Sequence, residues 1–251
     1  MQSDLNDAAS CLITGASRGI GAAAADRLAA RGYHVYLNYG SSRHEADAVA
    51  ARINESGGSA QALQADVADV ESVAKMFEVI RERHGRLDLM VHNAAPPLEP
   101  KRLLDLDWDA DVQPHVDVAA RGFLNLLREG DSFLKTGSRV VVLLTDALYH
   151  TPPVQMGAYL AAKGALLGLV RAAAKELRGR GVSVNSISPG MVETGLLVNY
   201  HERALEIMAQ DHPMKRLAMA DEVAAVIEAI ATGAGAYMSG ANIIVNGGSE
   251  F

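Results

Sequence analysis

Apolar residues along the chain keep two alternating rhythms. Short β-like runs occur at 10–14 (SCLIT), 33–38 (YHVYLN), 60–65 (AQALQA), 87–92 (LDLMVH), 138–145 (SRVVVLLT), 182–188 (VSVNSIS) and 241–246 (ANIIVN). Between them lie segments with helical spacing near 19–31, 43–56, 69–84, 107–130, 157–179, 201–210 and 220–231. In EADAVAARINESGG the helical period runs until Gly57 and Gly58 stop it. Strands that alternate with helices predict an α/β fold: a parallel sheet with helices on both faces. No repeat, low-complexity tract or linker divides the chain, so one domain is expected over 1–251.

Composition and charge narrow the class. A chain of 251 residues buries a sizeable core. Hydrophobic residues make up 49% and charged residues 21%, which suits a globular protein rather than a disordered one. The net charge of -7 argues against nucleic acid or an anionic membrane as a partner. Cys11 is the single cysteine, so neither an internal disulfide nor a cysteine-rich metal site is available. The start MQSDLNDAAS lacks the basic and apolar regions of a secretory signal, and no apolar run approaches the ~20 residues of a membrane span. A cytoplasmic protein is expected.

The stretch TGASRGIG (14–21) places Gly15, Gly19 and Gly21 between the first strand and the first helix. A glycine turn there lets backbone approach a phosphate, and the helix N-terminus favours its charge. The spacing is G-x-x-x-G-x-G rather than the commoner G-x-G-x-x-G.

TGASRGIG (14–21), DV (66–67), HNAA (92–95), YLAAK (159–163), SPGMVET (188–194) and NGG (246–248) together resemble, in order and spacing, the short-chain dehydrogenase/reductase family. The resemblance covers essentially the whole chain. NYGSS after strand 2 looks most like the ketoreductases of the 3-oxoacyl-carrier-protein reductase type. It implies a Rossmann-like doubly wound domain with a seven-stranded parallel sheet, in a homotetramer. The helix DEVAAVIEAIA and the terminus ANIIVNGGSEF are the surfaces expected to assemble it.

The loop residues Gly15, Ser17, Arg18, Gly19, Ile20 and Gly21 are cofactor candidates. A carboxylate after strand 2 would accept from a ribose 2′-hydroxyl and repel a 2′-phosphate. None stands from Leu37 to Arg43, whereas Arg18, Ser41, Ser42 and Arg43 can meet a phosphate. The expected cofactor is therefore NADPH. The resemblance assigns Asp66 to the adenine amino group, with Val67 giving a backbone contact, and Asn93 and Ala94 to the ribose. In SPGMVET it assigns Pro189, Gly190, Val192 and Thr194 to the nicotinamide. HNAA departs from the family's Asn-Asn-Ala-Gly at His92 and Ala95.

Tyr159 and Lys163 are four apart, which puts both on one helix face. An ammonium beside the phenol favours the phenolate, so Lys163 is expected to lower the tyrosine pKa from its usual ~10. Tyr159 would hand a proton to a carbonyl oxygen as hydride arrives at carbon, and Lys163 would also bond the nicotinamide ribose. The family's third residue is a serine about thirteen positions earlier. Asp146 has that spacing, but Thr145 has the hydroxyl and the strand position, so Thr145 is the candidate; an anion would oppose charge on the oxygen. The family's helix asparagine is replaced by Ala119; His115 lies one turn earlier and could serve instead, although a lone helix histidine is more often simply packed or solvated.

Pro96-Pro97-Leu98, the loop 147–156 and the segment 195–215 are expected around the substrate, the last as a lid over an apolar pocket. Lys215 and Arg216 are candidates to attract a carrier protein. The leading expectation is an NADPH-dependent reductase of a small or carrier-bound carbonyl, including a 3-oxoacyl thioester. The alternatives are an NAD(P)-dependent alcohol or sugar dehydrogenase, and a cofactor-binding protein without catalysis.

Overall fold

Strands form where short apolar runs are buried on both sides, as a parallel sheet under two layers of helices demands. The computed structural model describes residues 8–249. Residues 1–7 of the N-terminal stretch and Glu250-Phe251 of the C-terminal one lie outside the described residues. The strands are β1 (Ser10–Ile13), β2 (His34–Tyr39), β3 (Ser59–Gln64), β4 (Leu87–His92), β5 (Leu134–Leu143), β6 (Ser183–Pro189) and β7 (Asn242–Val245). They form one seven-stranded sheet in the order β3-β2-β1-β4-β5-β6-β7, and every pairing is parallel. The order reverses between β1 and β4. A crevice opens at such a switch point, outside the carboxyl ends of the strands.

The helices are α1 (Gly19–Ala30), α2 (Arg43–Glu55), α3 (Val70–Arg83), α4 (Gln113–Val116), α5 (Gly122–Gly130), α6 (Gly157–Leu177), α7 (Glu202–Asp211) and α8 (Ala220–Thr232). On one face, Ala24, Ala25 and Leu28 of α1 pack with Val223, Ala224 and Ile227 of α8. The short alanines of GAAAAD favour helix and let it lie close to its neighbours. On the other face, Phe77, Phe123, Leu126, Leu166 and Val170 join α3, α5 and α6 in a second core.

Two expected elements change. The helix expected over 107–130 is helical but not uniform: π-helical turns at Trp108–Val112 and Asp117–Arg121 alternate with α4 and α5. Pro114 lies between the two π turns and has no N–H to give to the ladder. The strand expected at 138–145 begins at Leu134 and ends at Leu143. It starts early because Ser138 repairs a register shift against β4, donating to the Leu87 carbonyl (2.6 Å) and accepting from the Lys135 amide (2.9 Å). The early end releases Thr145 and Asp146 from the sheet.

Candidate active site

The glycine loop is held by side chains that reach it from the end of β4. Thr14 leaves the sheet one residue earlier than expected, and its hydroxyl accepts from the amides of Asn93 (3.0 Å) and Ala94 (3.1 Å). Asn93 returns both protons of its side-chain amide, to the carbonyls of Thr14 and Gly15, each at 3.0 Å. Only its oxygen remains for another partner. Gly15 has φ of +62°, and a Cβ there would stand 2.9 Å from the Ala94 Cα. A Cβ on Gly21 would stand 2.5 Å from the Gly15 carbonyl oxygen. Gly21 thus packs beneath the loop, whereas Gly15, Ser17, Arg18, Gly19 and Ile20 border a cavity of about 580 Å³.

That cavity fits a dinucleotide. No side chain caps the N-terminus of α1, and its first turn carries no acidic residue. Its amides are therefore left to an anion. Ser41, Ser42, Asp66, Val67, Asn93, Ala94 and Thr194 complete the expected wall. Asp66 accepts from the Ala68 amide (2.9 Å), while the cap of α3 is Asp69, so Asp66 is not a helix cap. The Val67 carbonyl is taken by Asn125 (3.0 Å). The two arginines part company. Arg18 borders the cavity with its guanidinium packed over Gly195, but Arg43 opens α2 on the exposed surface and is not part of the wall.

A second cavity, of about 360 Å³, adjoins the first at Ile20, Asn93, Ala95, Thr194 and Leu196. Pro189 at the end of β6, with Gly190 and Val192 after it, lines it. Its floor holds Thr145, Tyr159 and Lys163, and its walls are largely apolar, among them Leu98, Leu144, Met156, Leu197 and Met208. Pro96 and Pro97 border the dinucleotide cavity instead. Of the expected carrier-attracting pair, neither faces either cavity: Arg216 is held by Glu222 (2.7 and 2.6 Å), and Lys215 donates to the Gln210 carbonyl (2.8 Å).

Tyr159 and Lys163 lie on one face of α6, 8% and 4% exposed. Burial pushes the phenol up to about 12; the Thr145 hydroxyl, donating toward it, acts the other way, while Asp146 and Tyr200 add to the rise. The expectation that Lys163 lowers this pKa does not hold. Its ammonium donates to the Leu143 carbonyl (2.7 Å), and burial pulls it down to about 8. The phenol therefore keeps its proton near neutrality, ready to give it. Thr145, freed by the early end of β5, lines this cavity and meets the Tyr159 phenol. Asp146 also lines this cavity.

The departures at His92 and Ala119 turn out to be partners. His92 Nε2 donates to the Ala119 carbonyl (2.9 Å), so Nδ1 is the acceptor and faces the Thr14 hydroxyl (3.3 Å). Burial, then the charge of Lys163, lowers its pKa to about 4, and the imidazole is neutral. The sequence marked both positions as unusual, but only the fold shows that one answers the other. His115 packs edge-on to the Tyr159 ring, centroids 6.4 Å apart.

Among the described residues no helix is long and apolar enough to cross a membrane. Residues 15–250 match the profile of the family described as enoyl-(acyl carrier protein) reductase. A 3-oxoacyl-acyl-carrier-protein reductase of Staphylococcus aureus is 32% identical over 242 residues, 95% of this chain and 97% of that protein. The Synechocystis enzyme of the same name is 36% identical, over 94% of this chain and 95% of its own. The solved structure of a short chain dehydrogenase from Burkholderia cenocepacia in complex with NADP superposes with a TM-score of 0.88, at 32% identity and covering 98% of each chain. With the parallel sheet, the uncapped glycine loop and the paired Tyr159 and Lys163, these matches place the chain: it belongs to the short-chain dehydrogenase/reductase family of NAD(P)H-dependent oxidoreductases.

Proposed function

We propose that the protein is an NADPH-dependent reductase of a carbonyl compound, with a 3-oxoacyl thioester among its candidate substrates. The observation that carries this reading is the buried, protonated Tyr159 phenol, met by Thr145, on the floor of an apolar cavity that opens onto the glycine-loop cavity. The bound nicotinamide supplies the hydride. Tyr159 passes its proton to the carbonyl oxygen, and Thr145 donates to the charge developing there. Lys163 holds positive charge behind both and would bond the nicotinamide ribose. A phenol that keeps its proton near neutrality is the form that can donate to a carbonyl oxygen, as reduction requires. The hydroxyl pair beside Lys163 speaks against a protein that only binds cofactor.

Ser41, Ser42 and Arg18 around the end of β2, with no carboxylate among them, support NADPH over NADH. The bound NADP named for the Burkholderia structure agrees with this choice. Gly15, Gly19, Asp66, Val67, Asn93, Ala94, Pro189, Gly190, Val192 and Thr194 would hold the cofactor, and residues 195–215 would close over the substrate. The protein would act in the cytoplasm as a single-domain subunit of a homotetramer. Exposed Ile244 on the sheet-edge strand β7, with exposed Tyr237 before it, supports assembly there.

The test is NADPH oxidation followed by absorbance against a panel of ketones and 3-oxoacyl thioesters, with NADH alongside. Turnover of a ketone with NADPH, abolished in Tyr159→Phe, is expected. Full turnover in Tyr159→Phe would overturn the mechanism, and equal use of NADH would overturn the cofactor choice.

A further inference from the structure

We propose that His212 is a positioning residue: by fastening the end of α7 to the turn after β7, it holds the back of the lid in place over the substrate. The inference rests on the carbonyl-reductase reading and on the lid role proposed above for 195–215.

The two ends of this segment are tied to different parts of the molecule. The front end belongs to the cofactor side. A Cβ on Gly195 would stand 3.2 Å from Arg18 Nε. The Leu98 amide donates to the Leu196 carbonyl (3.1 Å), and the Asn199 side-chain amide donates to the Leu98 carbonyl (3.0 Å). The back end is α7, followed by His212 and Pro213. Met208, Asp211, His212 and Pro213 line the substrate cavity and do not border the dinucleotide cavity. No residue of α7 is buried. Leu205 alone of its residues packs against the small cluster of Leu98, Met156, Tyr159 and Leu197. A helix with so little core of its own opens locally with ease. Its place over the cavity therefore depends on the contact at its end.

That contact is specific. His212 Nδ1 accepts from the Met214 amide (3.0 Å), so Nε2 carries the proton and donates it to the Asn246 carbonyl (2.8 Å). The acceptor is rigid. Asn246 directly follows Val245, the last residue of β7, which pairs with Pro189 of β6. The Asn246 side-chain oxygen accepts from the Gly248 amide (3.1 Å) and fixes the turn. Gly247 permits the close approach: its φ is +61°, and a Cβ on it would stand 2.7 Å from His212 Cε1 and 2.8 Å from the Met214 sulfur. The Gly190 amide donates to the Val245 carbonyl (3.0 Å). The turn that holds His212 is thus joined to the segment proposed to meet the nicotinamide, and the ring sets α7 at a fixed distance from it.

The experiment compares His212→Gln, His212→Asn and His212→Ala in the full-length protein, with the ketone that is reduced fastest in the NADPH-oxidation panel. A glutamine amide can reach the Asn246 carbonyl but does not copy the Nδ1 acceptor. An asparagine can accept from the Met214 amide but is too short for Asn246. KM for the ketone is expected to rise about three- to tenfold in His212→Asn and His212→Ala, as loss of one neutral hydrogen bond allows, with kcat and the NADPH Kd within about twofold. His212→Gln should restore most of the lost affinity. Gly247→Ala, which displaces the ring from the other side, should raise KM in the same way and add little to His212→Ala. An unchanged KM in His212→Ala, rescue by asparagine but not by glutamine, or additive effects of the two sites overturn the assignment, since His212 then shapes only its own turn. NADPH affinity that falls as far as ketone affinity overturns it too, because the damage is then general. All these results leave carbonyl reduction standing. If no ketone and no 3-oxoacyl thioester is reduced while NADPH binds, the carbonyl-reductase reading fails and this inference falls with it.

Discussion

The two cavities that meet at Asn93 and Thr194 are built in different ways. The dinucleotide side is a backbone construction: glycines at positive φ, the uncapped amides of α1, and side chains such as Thr14 and Asn93 that serve mainly to hold main chain in place. The substrate side is a side-chain construction, in which the hydroxyls of Thr145 and Tyr159 and the carboxylates of Asp146 and Asp211 stand among leucines and methionines. A backbone site tolerates change in the residues around it but not a Cβ in the wrong place. A side-chain site loses function one group at a time while its frame persists.

Single substitutions can break this contrast. The largest effect is expected from Tyr159→Phe, which removes the proton donor and lowers turnover on the order of 10²–10⁴-fold. NADPH affinity, read by fluorescence titration, should stay within about threefold, below the ~1.4 kcal/mol of a tenfold change. Lys163→Ala, which touches both cavities, should harm binding and turnover together. Thr145→Ala should lower kcat by about 2–4 kcal/mol, the worth of one donor to a developing oxyanion. An unchanged kcat would remove Thr145 from the mechanism.

A further expectation concerns the residue that braces the backbone side. His92 has a folded pKa of about 4 against 6.5 when free. Below pH 6.5 the unfolded chain takes up this proton and the native protein does not, so stability falls with pH until about pH 4. The loss approaches about 3 kcal/mol. Urea unfolding at neutral and mildly acid pH should show it, and His92→Asn should lose less over the same range. Equal acid sensitivity in the two proteins would exclude His92 as the source.

Gly21→Ala sharpens the comparison from the other side. The new Cβ meets the Gly15 carbonyl oxygen and Ala16 Cα, both main chain. Overpacking of this kind costs about 1–3 kcal/mol, and it should appear as weaker NADPH binding with kcat at saturating cofactor nearly kept. The smallest effect is expected from Ala119→Asn. The carbonyl at this position already accepts from His92, so restoring the family's side chain should change kcat by less than about twofold, under ~0.5 kcal/mol. A tenfold gain would mean that a proton relay limits the enzyme.

The contrast also explains which parts were legible beforehand. The Tyr159–Lys163 pair could be read from its spacing, because i and i+4 share a helix face whatever surrounds them. The glycine loop could be read for a similar reason: few other roles demand three glycines between a strand and a helix. Arg43 could not be excluded from the cofactor wall, since two residues of loop geometry decide whether a side chain after β2 turns inward with Ser41 and Ser42 or outward on α2.

Strand and helix periods, the loop glycines and the i, i+4 pair are local properties, set by neighbours a few residues apart, and the sequence by itself determined them. The tertiary structure alone decided the rest. It matched His92 to the Ala119 carbonyl across 27 residues and Asp146 to Asn246 across 100. It also raised the Tyr159 phenol where local reasoning lowered it, because desolvation depends on everything packed around a group.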